Sequence, residues 1–114
     1  MVNMKEKGLL LYIINHCVRV EEKMKTIDKK DFDSSEDIQE IVCFNILQIG
    51  ELAKGLDSNF TNIHDKVPWK SIKGMRDRIV HGYGTINMDR VWEIAIRDVK
   101  PLREYCQKIL DEFK

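Results

Sequence analysis

The apolar positions of this chain recur at helical spacing from one end to the other. Leu10, Ile13, Ile14, Cys17, Val20 and Met24 follow one another at short helical steps. That pattern predicts an amphipathic helix over about residues 4–26. Residues 26–33 are polar and read as a connection. The stretch "DSSED" then offers Ser or Asp caps followed by acids, which suits the positive end of a helix dipole. A second helix is predicted from about 34 to 56. Its middle is apolar on more than one side: Ile38, Ile41, Val42, Cys43, Phe44, Ile46, Leu47, Ile49, Leu52, Ala53 and Leu56. A helix apolar on two sides is buried on two sides. The second side can meet another subunit, or neighbouring helices of the same chain.

Residues 57–66 read as a loop. Pro68 fits a first helical turn and opens a short third helix over about 67–80, ended by Gly82 and Gly84. Asn87 or Asp89 can start a fourth helix. Its stripe runs through Trp92, Ala95, Val99, Leu102, Cys106, Ile109 and Phe113. Pro101 lies inside that stripe and should kink or split the helix, because it lacks an N–H and crowds the preceding turn. Strand signals are nearly absent. The predicted fold is a single all-α domain over residues 1–114, an up-and-down bundle of four helices, or five if the last is counted twice.

The 114 residues suit one domain. The 19 basic and 19 acidic side chains balance, so net charge supplies no general attraction to nucleic acid. Their distribution is uneven. Residues 31–57 carry seven acids and one lysine, whereas 66–90 carry six bases and two acids. The second segment is therefore electropositive, which fits either an anionic ligand such as a phosphate backbone or a solvated cationic face. Cys17, Cys43 and Cys106 are far apart and set among apolar residues. They read as reduced core thiols of a cytoplasmic protein. No apolar run is long enough to cross a bilayer, and no signal peptide is seen. His16 and His64 lack Cys or carboxylate neighbours at ligand spacing, so no metal site is expected. No cofactor is expected either. Trp69 and Trp92 read as core residues, and Gly50 and Gly74 as points of close helix approach.

Within the electropositive segment lies "RDRIVHGY", residues 76–83. On an unbroken third helix Arg76 falls four after Ile72 and three before Ile79, and so points into the apolar face. Asp77 precedes His81 by four, which makes them helical neighbours, and the carboxylate can then hold the imidazole. Arg76 and His81 stand about 140° apart around an ideal helix and converge only if it loosens at Gly82. Tyr83, between two glycines, either sits exposed on a mobile loop or packs back on the bundle. The set matches the needs of metal-free RNA cleavage. Histidine can move the protons near neutral pH, and arginine can clamp phosphate oxygens. A histidine near a helix end can equally be a simple cap.

The pattern of Arg76, four residues, His81, one residue and Tyr83 resembles the signature of HepT-like proteins in the HEPN superfamily. The blocks "ILQIGELAKGL" (46–56), "VPWKSIKGMRDRIVHGY" (67–83) and "VWEIAIRDVKPL" (91–102) are similar to that family's blocks in the same order. The resemblance covers nearly the whole chain. It implies a HEPN-like helical homodimer acting as a ribonuclease toxin of a type VII pair. Arg76 and His81 would be catalytic, supported by Asp77. The implied partner is an MNT-type nucleotidyltransferase antitoxin, which silences such toxins by transferring AMP to the motif tyrosine, here Tyr83. Two other readings stand beside it: a non-catalytic module that binds a nucleotide or the partner, and a purely structural helical dimer.

Overall fold

In the computed structural model, which describes residues 4–112, eight α-helical segments pack into a slab of 44 × 32 × 20 Å. The thickness equals about two helix diameters, so the core is the seam between two helical layers. The long helices sit where the apolar periodicity predicts them. Helix α1 spans Met4–Met24 and buries Leu10, Ile13, Cys17 and Val20. Two short segments follow, α2 at Lys29–Asp33 and, after α3 at Glu36–Ala53, α4 at Ser58–Ile63. Ser35 caps α3 by accepting a hydrogen bond from the Ile38 N–H at 3.2 Å. The Glu36 and Asp37 carboxylates stand in its first turn. The predicted Phe113 position of the last stripe lies outside the described residues.

Both short segments were expected to be irregular. Asp28 forms a capping box with Asp31, at 2.8 and 3.2 Å, and this starts α2 within the polar connection. Its purpose is to seat Phe32, fully buried against Trp92 with ring centroids 5.4 Å apart. Asp57 likewise caps α4 through the Phe60 N–H at 2.9 Å, and Phe60 packs on His64 and Trp69. Each segment spans about one turn and carries a single core aromatic. That is too little for periodicity to register.

The third predicted helix divides at Gly74 into α5 (Trp69–Lys73) and α6 (Met75–Ile79). The fourth divides into α7 (Met88–Arg97) and α8 (Val99–Asp111). The expected kink is present, but it falls at Asp98, three residues before the proline. In an unbroken helix the Pro101 nitrogen would face the carbonyl of Arg97, where its ring clashes and no hydrogen bond forms. Placing the break at Asp98 puts Pro101 in the first turn of α8, where an N–H is not needed. Asn87 caps α7 by accepting from the Arg90 N–H at 3.1 Å.

Helix α1 packs along both α3 and α8, and the Arg103 guanidinium of α8 holds the Glu21 carboxylate of α1 through two hydrogen bonds. Helix α3 is the centre of the bundle and touches α5, α6 and α7. It is buried on one broad side only. Ile41 and Phe44 remain exposed, beside exposed Leu11 and Val18 on α1. Between these helices, His16 Nδ1 and Asn45 Oδ1 share a hydrogen bond of 2.8 Å. All three cysteines are free and buried. Burial pushes the Cys106 thiol up to about 12 and raises Cys17 and Cys43 as well. No described helix is long and apolar enough to cross a membrane.

Candidate functional site

The site is assembled on α6, a helix of only five residues. Gly50 of α3 leaves a notch that receives α6. A Cβ at Gly50 would stand 3.0 Å from Met75 Cβ and 3.2 Å from the Ile72 carbonyl oxygen. The buried residues of α5 and α6 are Trp69, Ile72, Met75 and Ile79. Met75 therefore completes the apolar face in place of Arg76. The expectation that Arg76 points inward is corrected: it is exposed. Met75 is three after Ile72 and four before Ile79, which suits the same stripe. An apolar side chain outcompetes a cation for a dry position.

The inward cation is Arg78 instead. Its Nη2 donates to Asp98 Oδ2 at 2.9 Å, and its Nη1 lies 3.5 Å from Met75 Sδ. Nothing in the local sequence announces this pair, which joins residues twenty apart.

Helix α6 ends at Ile79. Val80 is extended (φ −95°, ψ 124°), and His81 follows with φ −93° and ψ 178°. Asp77 and His81 thus do not occupy successive turns of one helix. The helical contact expected between them is not formed, and Asp77 is exposed beside Arg76. The chain turns back through a small hairpin. The Asn87 N–H donates to the Ile79 carbonyl at 2.7 Å, and the His81 N–H donates to the Thr85 carbonyl at 2.7 Å. Val80 and Ile86 pair as an antiparallel bridge. The Thr85 hydroxyl closes the tip on the Gly82 carbonyl at 3.2 Å. These hydrogen bonds pin the loop at both ends.

Tyr83 sits at that tip. Its φ of 66° lies in the left-handed region, as does the 74° of Gly84. Glycine adopts that region freely, but a tyrosine there carries strain. Its side chain is fully exposed, so the alternative in which it packs back on the bundle does not hold.

Arg76 on α6 and His81 and Tyr83 on the hairpin that follows it are therefore all exposed, and none of them makes a side-chain hydrogen bond or ion pair with the described residues. A guanidinium with five free donors can bind a phosphate through two parallel hydrogen bonds. A free imidazole can accept or donate a proton. A free phenol can be reached by another protein. Lys73 extends the positive segment, although its ammonium group donates to the Leu56 carbonyl at 3.2 Å. Among the described residues no three His, Cys, Asp or Glu side chains cluster as metal ligands would.

Comparison with known proteins adds an independent observation. Residues 13–109 match the HepT-like family, described as Ribonuclease HepT-like. A protein of Caldanaerobacter subterraneus subsp. tengcongensis named "Putative RNase" is 32% identical over 92% of this chain and 94% of its own. A Methanocaldococcus jannaschii protein named "Gamma-glutamylcyclotransferase and putative RNase" is 31% identical over 93% of this chain, which spans 48% of that longer protein. The "Probable ribonuclease HepT" of Thermococcus cleftensis is 27% identical over 79% of this chain and 82% of its own. No solved structure matches.

Proposed function

Because this chain belongs to the HepT-like ribonuclease family, we propose that it is an endoribonuclease whose site is the exposed end carrying Arg76 and His81. The single observation that carries the assignment is that both side chains are exposed and unpaired on adjacent backbone segments. Half-buried Arg78 is spent on its ion pair with Asp98, whereas exposed Arg76 keeps its donors free.

In this reading Arg76 holds two oxygens of the scissile phosphate and stabilises the extra negative charge as the 2′-oxygen attacks phosphorus. His81 takes the 2′-hydroxyl proton or returns one to the departing 5′-oxygen. Both tasks proceed without a metal ion. One imidazole serves one of them at a time, so a second is required. A homodimer that brings two such ends together supplies it. The exposed Leu11, Val18, Ile41 and Phe44 of α1 and α3 support that dimer, since apolar side chains gathered on neighbouring helices favour contact with another surface. Helix α3 also carries the Gly50 notch that seats α6, so the same helix borders both features. Asp77, next to Arg76, is free to orient a group of the partner or of the RNA.

We further read the protein as the cytoplasmic toxin of a pair whose MNT-type nucleotidyltransferase antitoxin adds AMP to Tyr83. The pinned hairpin supports this, because it offers the phenol at full exposure two residues from His81. An adduct there adds negative charge where the RNA backbone is to lie.

The test is RNA breakdown in EDTA. His81→Ala and Arg76→Ala should each lower the rate by roughly 10²-fold or more while leaving the helical content unchanged. Equal cleavage by the unaltered chain and both variants removes the assignment. Intact mass after co-expression with the antitoxin tests the rest, through a shift in units of AMP that Tyr83→Phe abolishes.

A further inference from the structure

Helix α6 spans five residues, Met75–Ile79, and no side chain caps its start. A peptide of that length is not helical by itself, because one hydrogen-bonded turn does not repay the cost of its nucleus. Its pose is therefore imposed from outside. Three anchors do this: Met75 in the Gly50 notch, the Asn87 N–H on the Ile79 carbonyl, and the Arg78–Asp98 ion pair.

The third anchor has an unusual origin. Asp98 is the residue that precedes α8, where an aspartate with extended backbone accepts from the N–H of the second or third helical residue. Asp98 instead keeps a helical backbone (φ −101°, ψ −30°), the third residue of α8 is Pro101, which has no N–H, and Asp98 makes no side-chain cap bond. Its carboxylate is left for Arg78, which it accepts at 2.9 Å in a half-buried setting. The acid at the break between α7 and α8 is thus uncommitted to capping and free to hold α6.

Arg76 and Arg78 project about 160° apart around α6. One guanidinium holds the inner side of the helix, and the other leaves from the outer side. We propose that Arg78, through Asp98, is a positioning residue that sets the direction in which Arg76 is presented to the scissile phosphate. The part played by Arg76 rests on the ribonuclease reading above. The latch itself rests only on the geometry of α6 and Asp98.

The experiment is a mutant cycle on RNA cleavage. Arg78→Met keeps the stem and removes the ion pair. In the native background it should lower kcat about tenfold or more with little change in KM, and Arg78→Lys should restore part of that loss. In an Arg76→Ala background the same change should alter the residual rate by less than about twofold, since no guanidinium is left to position. Equal fold-losses in the two backgrounds, or no loss in the native one, overturn the proposal. Amide hydrogen exchange is measured on the same proteins. Arg78→Met should speed exchange across residues 76–87 about tenfold, with α1 and α3 unchanged. Unchanged exchange there overturns the latch whether or not RNA is cut. Loss of protection without any cleavage by the unaltered chain would sink the ribonuclease reading and leave the latch standing.

Discussion

Met75 of α6 rests directly on Gly50 of α3, where a methyl group on the glycine would come within 3.0 Å of Met75 Cβ. Gly50→Ala should gain about 1 kcal/mol of helix propensity and lose about 1–3 kcal/mol to overpacking, for a net destabilisation of about 1 kcal/mol in urea unfolding. Cleavage should fall further than stability, because the displaced segment carries Arg76. Unchanged activity alongside the stability loss would show that α6 need not sit where it does.

Tyr83 touches nothing and stands in a left-handed conformation. Tyr83→Ala keeps the same strained backbone and should shift stability by less than about 0.5 kcal/mol. Tyr83→Asn should stabilise by a few tenths to about 1 kcal/mol, since asparagine tolerates positive φ better. Chemical denaturation of both variants checks this. A large loss in Tyr83→Ala would mean that the ring packs in solution after all.

The buried thiols predict an alkaline limit to stability. A thiol ionises near 9 in the unfolded chain, whereas burial raises Cys106 to about 12 and raises Cys17 too. Below pH 9 both states hold the neutral thiol, so its burial contributes in full. Above 9 only the unfolded state releases the proton, and stability falls as pH rises towards 12. Each such thiol should cost about 1.4 kcal/mol per pH unit in that window. Urea midpoints at pH 8, 9 and 10 should show a steeper decline for the native chain than for Cys106→Ala. Parallel declines would contradict the burial.

The exposed apolar residues of α1 and α3 predict an assembly. Phe44→Glu should yield a monomer by light scattering, with folding stability changed by less than about 0.5 kcal/mol at this exposed position. The same variant should lose RNA cleavage if two chains are needed for one site. A native chain that is monomeric at high concentration would remove the dimer from the mechanism.

The long helices were legible because each has a buried stripe of several residues, and repeated spacing survives the loss of any one position. The caps Ser35 and Asn87 were legible for a local reason: a cap is a contact between residues two or three apart. Helices α2 and α4 were not, since each holds one aromatic, Phe32 or Phe60, against a partner far away in the chain. The direction of Arg76 was misread because Met75 and Arg76 satisfy the same helical spacing. The close approach of α6 to Gly50 leaves a dry position that the apolar Met75 takes in preference to the cation.

The residue types and their order along the chain thus determined an all-helical bundle, a break near Pro101, and an Arg–His–Tyr cluster in a positive segment. Those features depend on backbone chemistry within a turn or two. The tertiary structure alone decided that Arg76 faces solvent, that Arg78 is held by Asp98, and that His81 leaves the helix for a hairpin presenting Tyr83. These outcomes hinge on which distant surfaces compete for the same space and the same hydrogen bonds, and no spacing along the chain encodes that competition.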